Sequence, residues 1–370
     1  MLLWFLRSLA PVGERSASFQ TARIAVAALL AFVTAIAFGP AAIAWLQKRK
    51  FGERIDSASE TLNQLHAGKK NTPTMGGVFI VAAIVVATLL CADPSSGYVR
   101  LALLTALTFG AIGTIDDYTK LTTSRRGMSA RMKMLTLGVL SLSIGLGLTL
   151  LSSVPEAAAG QVDLEQLAAD WKLPAMSVVV TGMLWRGFVL LGSSNAVNLT
   201  DGLDGLASGC LVCAGTAMTA LAYASGHRVI ADHLAIPHVV GAGELAVVGA
   251  AMVGACLGFL WFNASPAQVF MGDAGSLPLG GLLAFIALAI HQEWLLVLIG
   301  GVFVAEALSV ILQVGCFKPT GRRIFACSPL HHHFQFRGMP ETKIVIRFWI
   351  VAALLAIAGL ATALLRPHTG

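Results

Sequence analysis

The stretch GSSNAVNLTDGLDGLA, Gly192 to Ala207, lies between two apolar runs that are each long enough to cross a membrane. It carries Asn195, Asn198, Asp201 and Asp204 at strict three-residue spacing, with no lysine or arginine among them. Hydrocarbon is a costly place for such groups. The stretch therefore reads as the end of one span, a polar turn at the mouth of a helical bundle, and the start of the next span.

Working outward from it, the same alternation covers the chain. Of the 370 residues, 56% are apolar and 12% charged, and the mean hydropathy is +0.78. Soluble domains carry roughly a quarter charged residues, and a span needs about 20 mostly apolar ones. Ten such segments are present, near residues 22–46, 75–92, 98–115, 134–152, 176–192, 205–224, 244–262, 276–291, 294–316 and 345–365. A soluble core does not repeat this pattern ten times. The expected fold is an all-α polytopic membrane protein, one integral membrane domain over residues 1–370, with about ten transmembrane helices. The opening MLLWFLRSLA is too short to span and lacks a basic region before its apolar part, so it reads as an interfacial helix and not as a signal peptide.

Lysine and arginine placement sets the orientation. With the N-terminus outside, the inside loops are about 47–74, 116–133, 193–204, 263–275 and 317–344. They hold six, five, none, none and five of the 25 basic residues, against six outside and three (Arg23, Arg186, Arg347) within or at the ends of spans. Both termini are thus expected outside. The net charge of +6 records this asymmetry and implies no nucleic-acid partner, since no basic stripe interleaves with aromatics. The six cysteines lie mostly within spans. The CLVC pair, Cys210 and Cys213, has metal-like spacing but no histidine nearby, and reads as small buried hydrophobes.

The inside loops gather the chemistry. GKKNTPTMGG, Gly68 to Gly77, sets two lysines before a turn; these suit phosphate, or simply mark topology. IDDYTK places Asp116 and Asp117 at the inner end of a span, where neighbouring carboxylates repel unless a cation intervenes; Lys120 stands at i,i+4 from Asp116 and can pair with it. Basic residues follow in RRGMSARMK, Arg125 to Lys133. In the opening stretch the three-residue spacing drifts about 60° per step on an α-helix and aligns in a 3₁₀ turn. Either way the four side chains line a wall whose donors and acceptors suit a base or sugar; helix capping explains one or two of them, not four. FNASPAQVFMGDAGS, Phe262 to Ser276, holds Asp273 between glycines with Asn263 and Phe270 upstream. Asp273 is a hard-cation ligand or the cap of the following helix, and an aromatic beside it can stack on a base. In CSPLHHHFQ, Cys327 to Gln335, three adjacent histidines point apart and cannot share one zinc; phosphate or sugar contact fits them better. Acid pair, amide–acid array, lone aspartate and histidines fall on one face, as an active site there requires. A divalent ion, a diphosphate and a nucleoside would account for the mixture of charges.

In order along the chain, IDDYTK, NAVNLTDGLDGLA, PAQVFMGDAGS and PLHHHF resemble the motifs of the phospho-N-acetylmuramoyl-pentapeptide transferases, within the polyprenyl-phosphate N-acetylhexosamine-1-phosphate transferase superfamily. TPTMGG and FGERI are similar too. The resemblance runs from about Ala22 to the last span. It implies ten transmembrane helices whose five cytoplasmic loops form the active-site cleft, in the bacterial inner membrane, with both termini periplasmic. It implies Mg²⁺-dependent transfer of phospho-MurNAc-pentapeptide from UDP-MurNAc-pentapeptide to undecaprenyl phosphate, giving lipid I and UMP in the first membrane step of peptidoglycan synthesis. A homodimer is compatible with it.

By motif, Asp116 and Asp117 correspond to that family's acid pair, Asp273 to its metal-binding aspartate, and His331 to a catalytic histidine. Asp201, Gly202, Leu203, Asp204, Asn263 and Phe270 correspond to positions around the uridine. Lys69, Thr74, Asn195, Asn198, His332 and His333 correspond to others lining the cleft, and Lys120 and Lys133 to basic positions near the phosphates. Asn71, Gln335 and Arg186 depart from the expected pattern, none at an acid position. The acceptor phosphate is largely dianionic at neutral pH, which favours direct attack over a phosphorylated aspartate. The rival readings are a GlcNAc-1-phosphate transferase, which would share acids and metal, and an ion-coupled transporter, whose acids belong at midplane and not on one face.

Overall fold

In the computed structural model, the described residues are 17–49, 69, 72–123, 127–152 and 173–365. They form helices throughout: α1 (Ala17–Lys48), α2 (Gly77–Cys91), α3 (Gly97–Thr122), α4 (Ala130–Ser152), α5 (Leu173–Thr200), α6 (Leu206–Ser225), α7 (Arg228–His233), α8 (Ala242–Asn263), α9 (Asp273–Ala289), α10 (Glu293–Ile299), α11 (Gly301–Thr320), α12 (Leu330–Phe336) and α13 (Glu341–Leu364). Eight of them (α1, α3, α4, α5, α6, α8, α11 and α13) are long and apolar enough to cross a membrane, and α2 and α9 are shorter apolar helices. The chain is a multi-pass membrane protein. Nine of the ten apolar runs correspond to one of these helices each. The ninth differs: the expected span 294–316 breaks at Gly300 into α10 and α11. The proposed N-terminal interfacial helix, FGERI and Asn71 lie outside the described residues.

The shortness of α2 and α9 follows from where they sit. Every residue of α9 is buried, so it is apolar on all sides and enclosed by other helices, as a helix at the centre of a bundle must be. It packs along α3 and α5 and touches α2, α6 and α8. At about 1.5 Å per residue its 17 residues span less than the hydrocarbon thickness. The outer helices turn large apolar side chains outward. Phe38 on α1, Leu107 on α3, Phe188 on α5, Ile311 on α11 and Ile357 on α13 are all exposed, the surface a lipid-facing bundle needs. Small residues let the inner helices close. A Cβ at Gly113 would lie 2.1 Å from the Asp273 carbonyl oxygen, so only glycine there lets α3 meet the start of α9.

The two ends of the bundle differ in chemistry. At one, Arg23 of α1 forms a two-pronged ion pair with Glu244 of α8, at 2.7 and 2.5 Å, and donates to the Cys91 carbonyl at 2.7 Å. Glu244 also accepts from the Asp93 amide at 2.6 Å. The unexpected Arg186 in α5 is held by hydroxyls of α4, Thr149 at 2.6 Å and Ser152 at 3.0 Å. Cys210 is buried and Cys213 half-buried in α6, both as free thiols. At the other end lie the described motif residues.

Candidate active site

The acids converge from two helices. Asp116 and Asp117 end the buried face of α3 and Asp273 begins α9, and their ligand oxygens lie within 4.8 Å of one another. All three are under a tenth exposed. Asp273 does not cap its helix; the flanking Gly272 takes that position without a side-chain hydrogen bond, and the carboxylate turns into the cluster. Its Oδ2 meets Lys120 Nζ at 2.7 Å and Lys133 Nζ at 2.5 Å, and its Oδ1 accepts from Asn198 Nδ2 at 2.6 Å. Lys120 also pairs with Asp116 at 2.9 Å, the expected i,i+4 contact, and with Asp117 at 3.3 Å. The Ala274 amide donates to Asp117 Oδ2 at 3.0 Å and the Met128 amide to Asp116 Oδ1 at 2.6 Å.

Three carboxylates thus face two ammonium groups, leaving one unbalanced negative charge in a buried site. All the ligand atoms are hard oxygens, the donor set that Mg²⁺ prefers. The residues fit a divalent cation, provided the lysine heads yield as it enters. Gly272 is what allows the approach. It adopts φ 69° and ψ −178°, a region essentially restricted to glycine, and a Cβ there would lie 2.5 Å from Asp117 Oδ2 and 3.0 Å from Thr74 Oγ1.

A second cluster lies at the same end of the bundle, around Lys69. Lys69 Nζ bonds Asp204 Oδ1 at 2.6 Å and Glu341 Oε1 at 2.5 Å, and sits 5.9 Å from the centroid of the Phe270 ring. Asp204 Oδ2 accepts from the Ala267 amide at 3.1 Å. Glu341 Oε1 also accepts from the Asp204 amide at 2.9 Å. Asn263 is buried, and its amide is used within the fold: Oδ1 accepts from the Gly205 amide and Ser208 Oγ, and Nδ2 donates to the Val269 carbonyl. It shapes the turns that carry Asp204 and Phe270. Three backbone hydrogen bonds join the two clusters. Phe270 donates to the Pro73 carbonyl, Gly76 to the Phe270 carbonyl and Gly77 to the Met271 carbonyl, each at 2.8 Å. The TPTMGG turn and the residues before α9 are therefore one strip, with Thr74 over Gly272.

The histidines divide three ways. His331 is fully buried on α12. His332 Nδ1 meets Gln335 Oε1 at 2.7 Å, so the unexpected glutamine orients a neighbour. His333 Nδ1 accepts from the Ala326 amide at 3.1 Å.

The four-residue array does not form a single wall. Asn195 and Asn198 lie on α5, which runs to Thr200; Asp201, Gly202, Leu203 and Asp204 form the turn after it. Asn195 bonds back to the Leu191 carbonyl at 2.8 Å. Asn198 joins the acid cluster and Ser276, and Asp204 joins Lys69. Sequence reading passed over Glu341 and Glu306. Glu306 was detectable in principle, as a lone carboxylate in an apolar span; Glu341, at the start of α13, carries no such signal.

The model of the glycosyl transferase family 4 matches residues 99–291, more than half of the chain, and the chain belongs to that family. It is a membrane-embedded phospho-sugar transferase. Residues 69–81 match phospho-N-acetylmuramoyl-pentapeptide-transferase signature 1, which supports phospho-MurNAc-pentapeptide transfer as its activity. That segment runs from Lys69 through Thr74 into α2, and so includes the strip that ties the two clusters together.

Proposed function

We propose that the chain transfers phospho-MurNAc-pentapeptide from UDP-MurNAc-pentapeptide to undecaprenyl phosphate, releasing UMP and forming lipid I, on the cytoplasmic face of a bacterial inner membrane. The observation that carries this reading is the pairing of two chemistries on one hydrogen-bonded strip. A buried three-carboxylate site with two lysines lies on one side, and a lysine–acid cluster beside an aromatic ring lies on the other.

The residues divide the work accordingly. Lys69, Asp204 and Phe270 receive the uridine, the ring by stacking and Asp204 as acceptor, with Asn263 holding their turns. Asp201, Gly202 and Leu203 complete that wall. Asp273 would hold Mg²⁺, which when bound would neutralise the diphosphate and the leaving oxygen. Lys120 and Lys133 offer their ammonium groups to the phosphates. Asn198 keeps Asp273 in place. An aspartate of the pair orients the acceptor phosphate and takes its residual proton, and the phosphate attacks directly. His331 is buried where the Gly202 turn meets α12 and backs that turn, while His332, His333, Thr74 and Asn195 complete the lining around the acids.

A transfer assay tests this. Detergent-solubilised protein is offered UDP-MurNAc-pentapeptide or UDP-GlcNAc, with undecaprenyl phosphate and Mg²⁺. Lipid-linked product from the muramoyl donor is expected; product from UDP-GlcNAc alone would overturn the donor assignment.

A further inference from the structure

Glu306 sits within α11 in the apolar run Val304-Ala305-Glu306-Ala307 and has no solvent exposure. A carboxylate there is expensive unless its oxygens are satisfied. They are. Oε2 accepts from the Leu330 amide at 2.6 Å and Oε1 from the His331 amide at 3.1 Å. Oε1 also lies 3.2 Å from His331 Nδ1, but off the hydrogen-bond line, so neither ring nitrogen has a hydrogen-bond partner. On its other edge the ring faces the turn between Asn198 and Asp204: a Cβ at Gly202 would lie 2.3 Å from Nε2. A buried imidazole with two unpartnered nitrogens is thus wedged between a membrane-helix carboxylate and the glycine of that turn.

We propose that Glu306 is a positioning residue for His331: its carboxylate fixes the backbone under the histidine and backs Nδ1, so that Nε2 is presented at the Gly202 turn. The proposal rests on the place given to His331 in the transfer reaction. Glu306 itself touches no substrate. It acts from within α11 through one ring, which accounts for a charge in an otherwise apolar segment. An amide at 306 has one acceptor oxygen in place of two, so one buried N–H loses its partner and the ring loses the charge behind it.

The test uses the full chain in detergent with Glu306→Gln, Glu306→Asp, His331→Gln and the double variant Glu306→Gln/His331→Gln. We expect Glu306→Gln to lower kcat by about 10- to 100-fold, by analogy with the loss of the outer hydrogen-bond partner of a metal-bound histidine. KM for the UDP donor and calorimetric affinity for UMP should stay within about threefold. Glu306→Asp, which keeps the charge, should recover part of the loss and serves where the amide variant folds poorly. The double variant should be no slower than His331→Gln alone, because the two act as a unit. Multiplicative losses, or a rise in KM at unchanged kcat, overturn the proposal. Acylation of His331 by diethyl pyrocarbonate, mapped by mass spectrometry against His333, should rise in Glu306→Gln; no change there also overturns it. The acylation readout needs no turnover, so it stands even if the donor assignment fails, and the kinetic cycle reads equally well with UDP-GlcNAc should that be the donor.

Discussion

Replacing Asp273 by asparagine keeps the size of the side chain and removes one of three negative charges. In the structure that carboxylate receives Lys120, Lys133 and Asn198. With it ionised the cluster carries a net charge of minus one; without it, two carboxylates balance two ammonium groups and nothing favours a further cation. A unit charge about 4 Å from another interacts by about 4 kcal/mol at an effective dielectric near 20, and the interaction with a divalent ion is larger. Freed lysine heads offset part of this by pairing more tightly with Asp116 and Asp117. A net loss of about 3–4 kcal/mol, or about 10²–10³ in turnover, is the scale expected when one strong electrostatic element is removed. The assay is single-turnover transfer across a Mg²⁺ titration, with Mn²⁺ binding followed separately by electron paramagnetic resonance. Asp273→Asn should lose both rate and ion affinity while its melting temperature changes little. Near-normal transfer at low Mg²⁺ would refute the ligand role and the charge argument together.

Asp204→Asn and Phe270→Ala should weaken calorimetric binding of the uridine part, the latter by the about 1–3 kcal/mol of a lost stacking surface, whereas Asp116→Asn and Asp117→Asn should slow transfer with binding intact; equal loss of nucleotide affinity in an acid-pair variant would move that pair to the donor side. Gly272→Ala forces a side chain into a glycine-only conformation worth about 1–3 kcal/mol of strain and against Asp117, so turnover should fall at least tenfold; wild-type rates would show that the Thr74–Asp117 approach is not needed. At the opposite end, Glu244→Ala leaves Arg23 buried without its partner and should lower the melting temperature by several degrees, with Arg23→Met/Glu244→Met recovering part of it; no change in melting would mean the pair is not structural. Cysteines placed at residue 160 and at Arg337 should label from opposite sides of the membrane; labelling of both from outside would remove the cytoplasmic site.

The helices were legible because the bilayer writes them into the chain as apolar runs, and nine of the ten runs correspond to one helix each. What the runs could not convey is where a run stops being one rod. Gly300 and Gly301 lie in unbroken apolar sequence, and only packing shows the break between α10 and α11. The motif residues were also readable, since polar groups at one end of an apolar bundle stand out. Their partners were not. Asn198 and Asp204 look equivalent in a three-residue rhythm, yet the end of α5 at Thr200 separates them, one toward Asp273 and the other toward Lys69. Such divisions depend on contacts 75 and 135 residues apart in sequence, which local pattern cannot carry. Glu341 was hidden for the same reason: an acid at the first turn of a helix is commonplace until Lys69 is found against it.

The three hydrogen bonds between the turn at Pro73–Gly77 and the strip Phe270–Met271 make the side with Lys69 and Phe270 and the side with the three carboxylates mechanically inseparable. Phe270 stands on the same short strip as Gly272 and Asp273, and Thr74 is pinned over it. A displacement of one register step would not trade one function for the other; it would pull the aromatic ring from its place and drag the aspartate from its two lysines in the same motion. Resistance to a ligand that grips this strip therefore cannot arise by loosening it. It has to come from the rim, at side chains that touch the ligand and leave those three bonds alone.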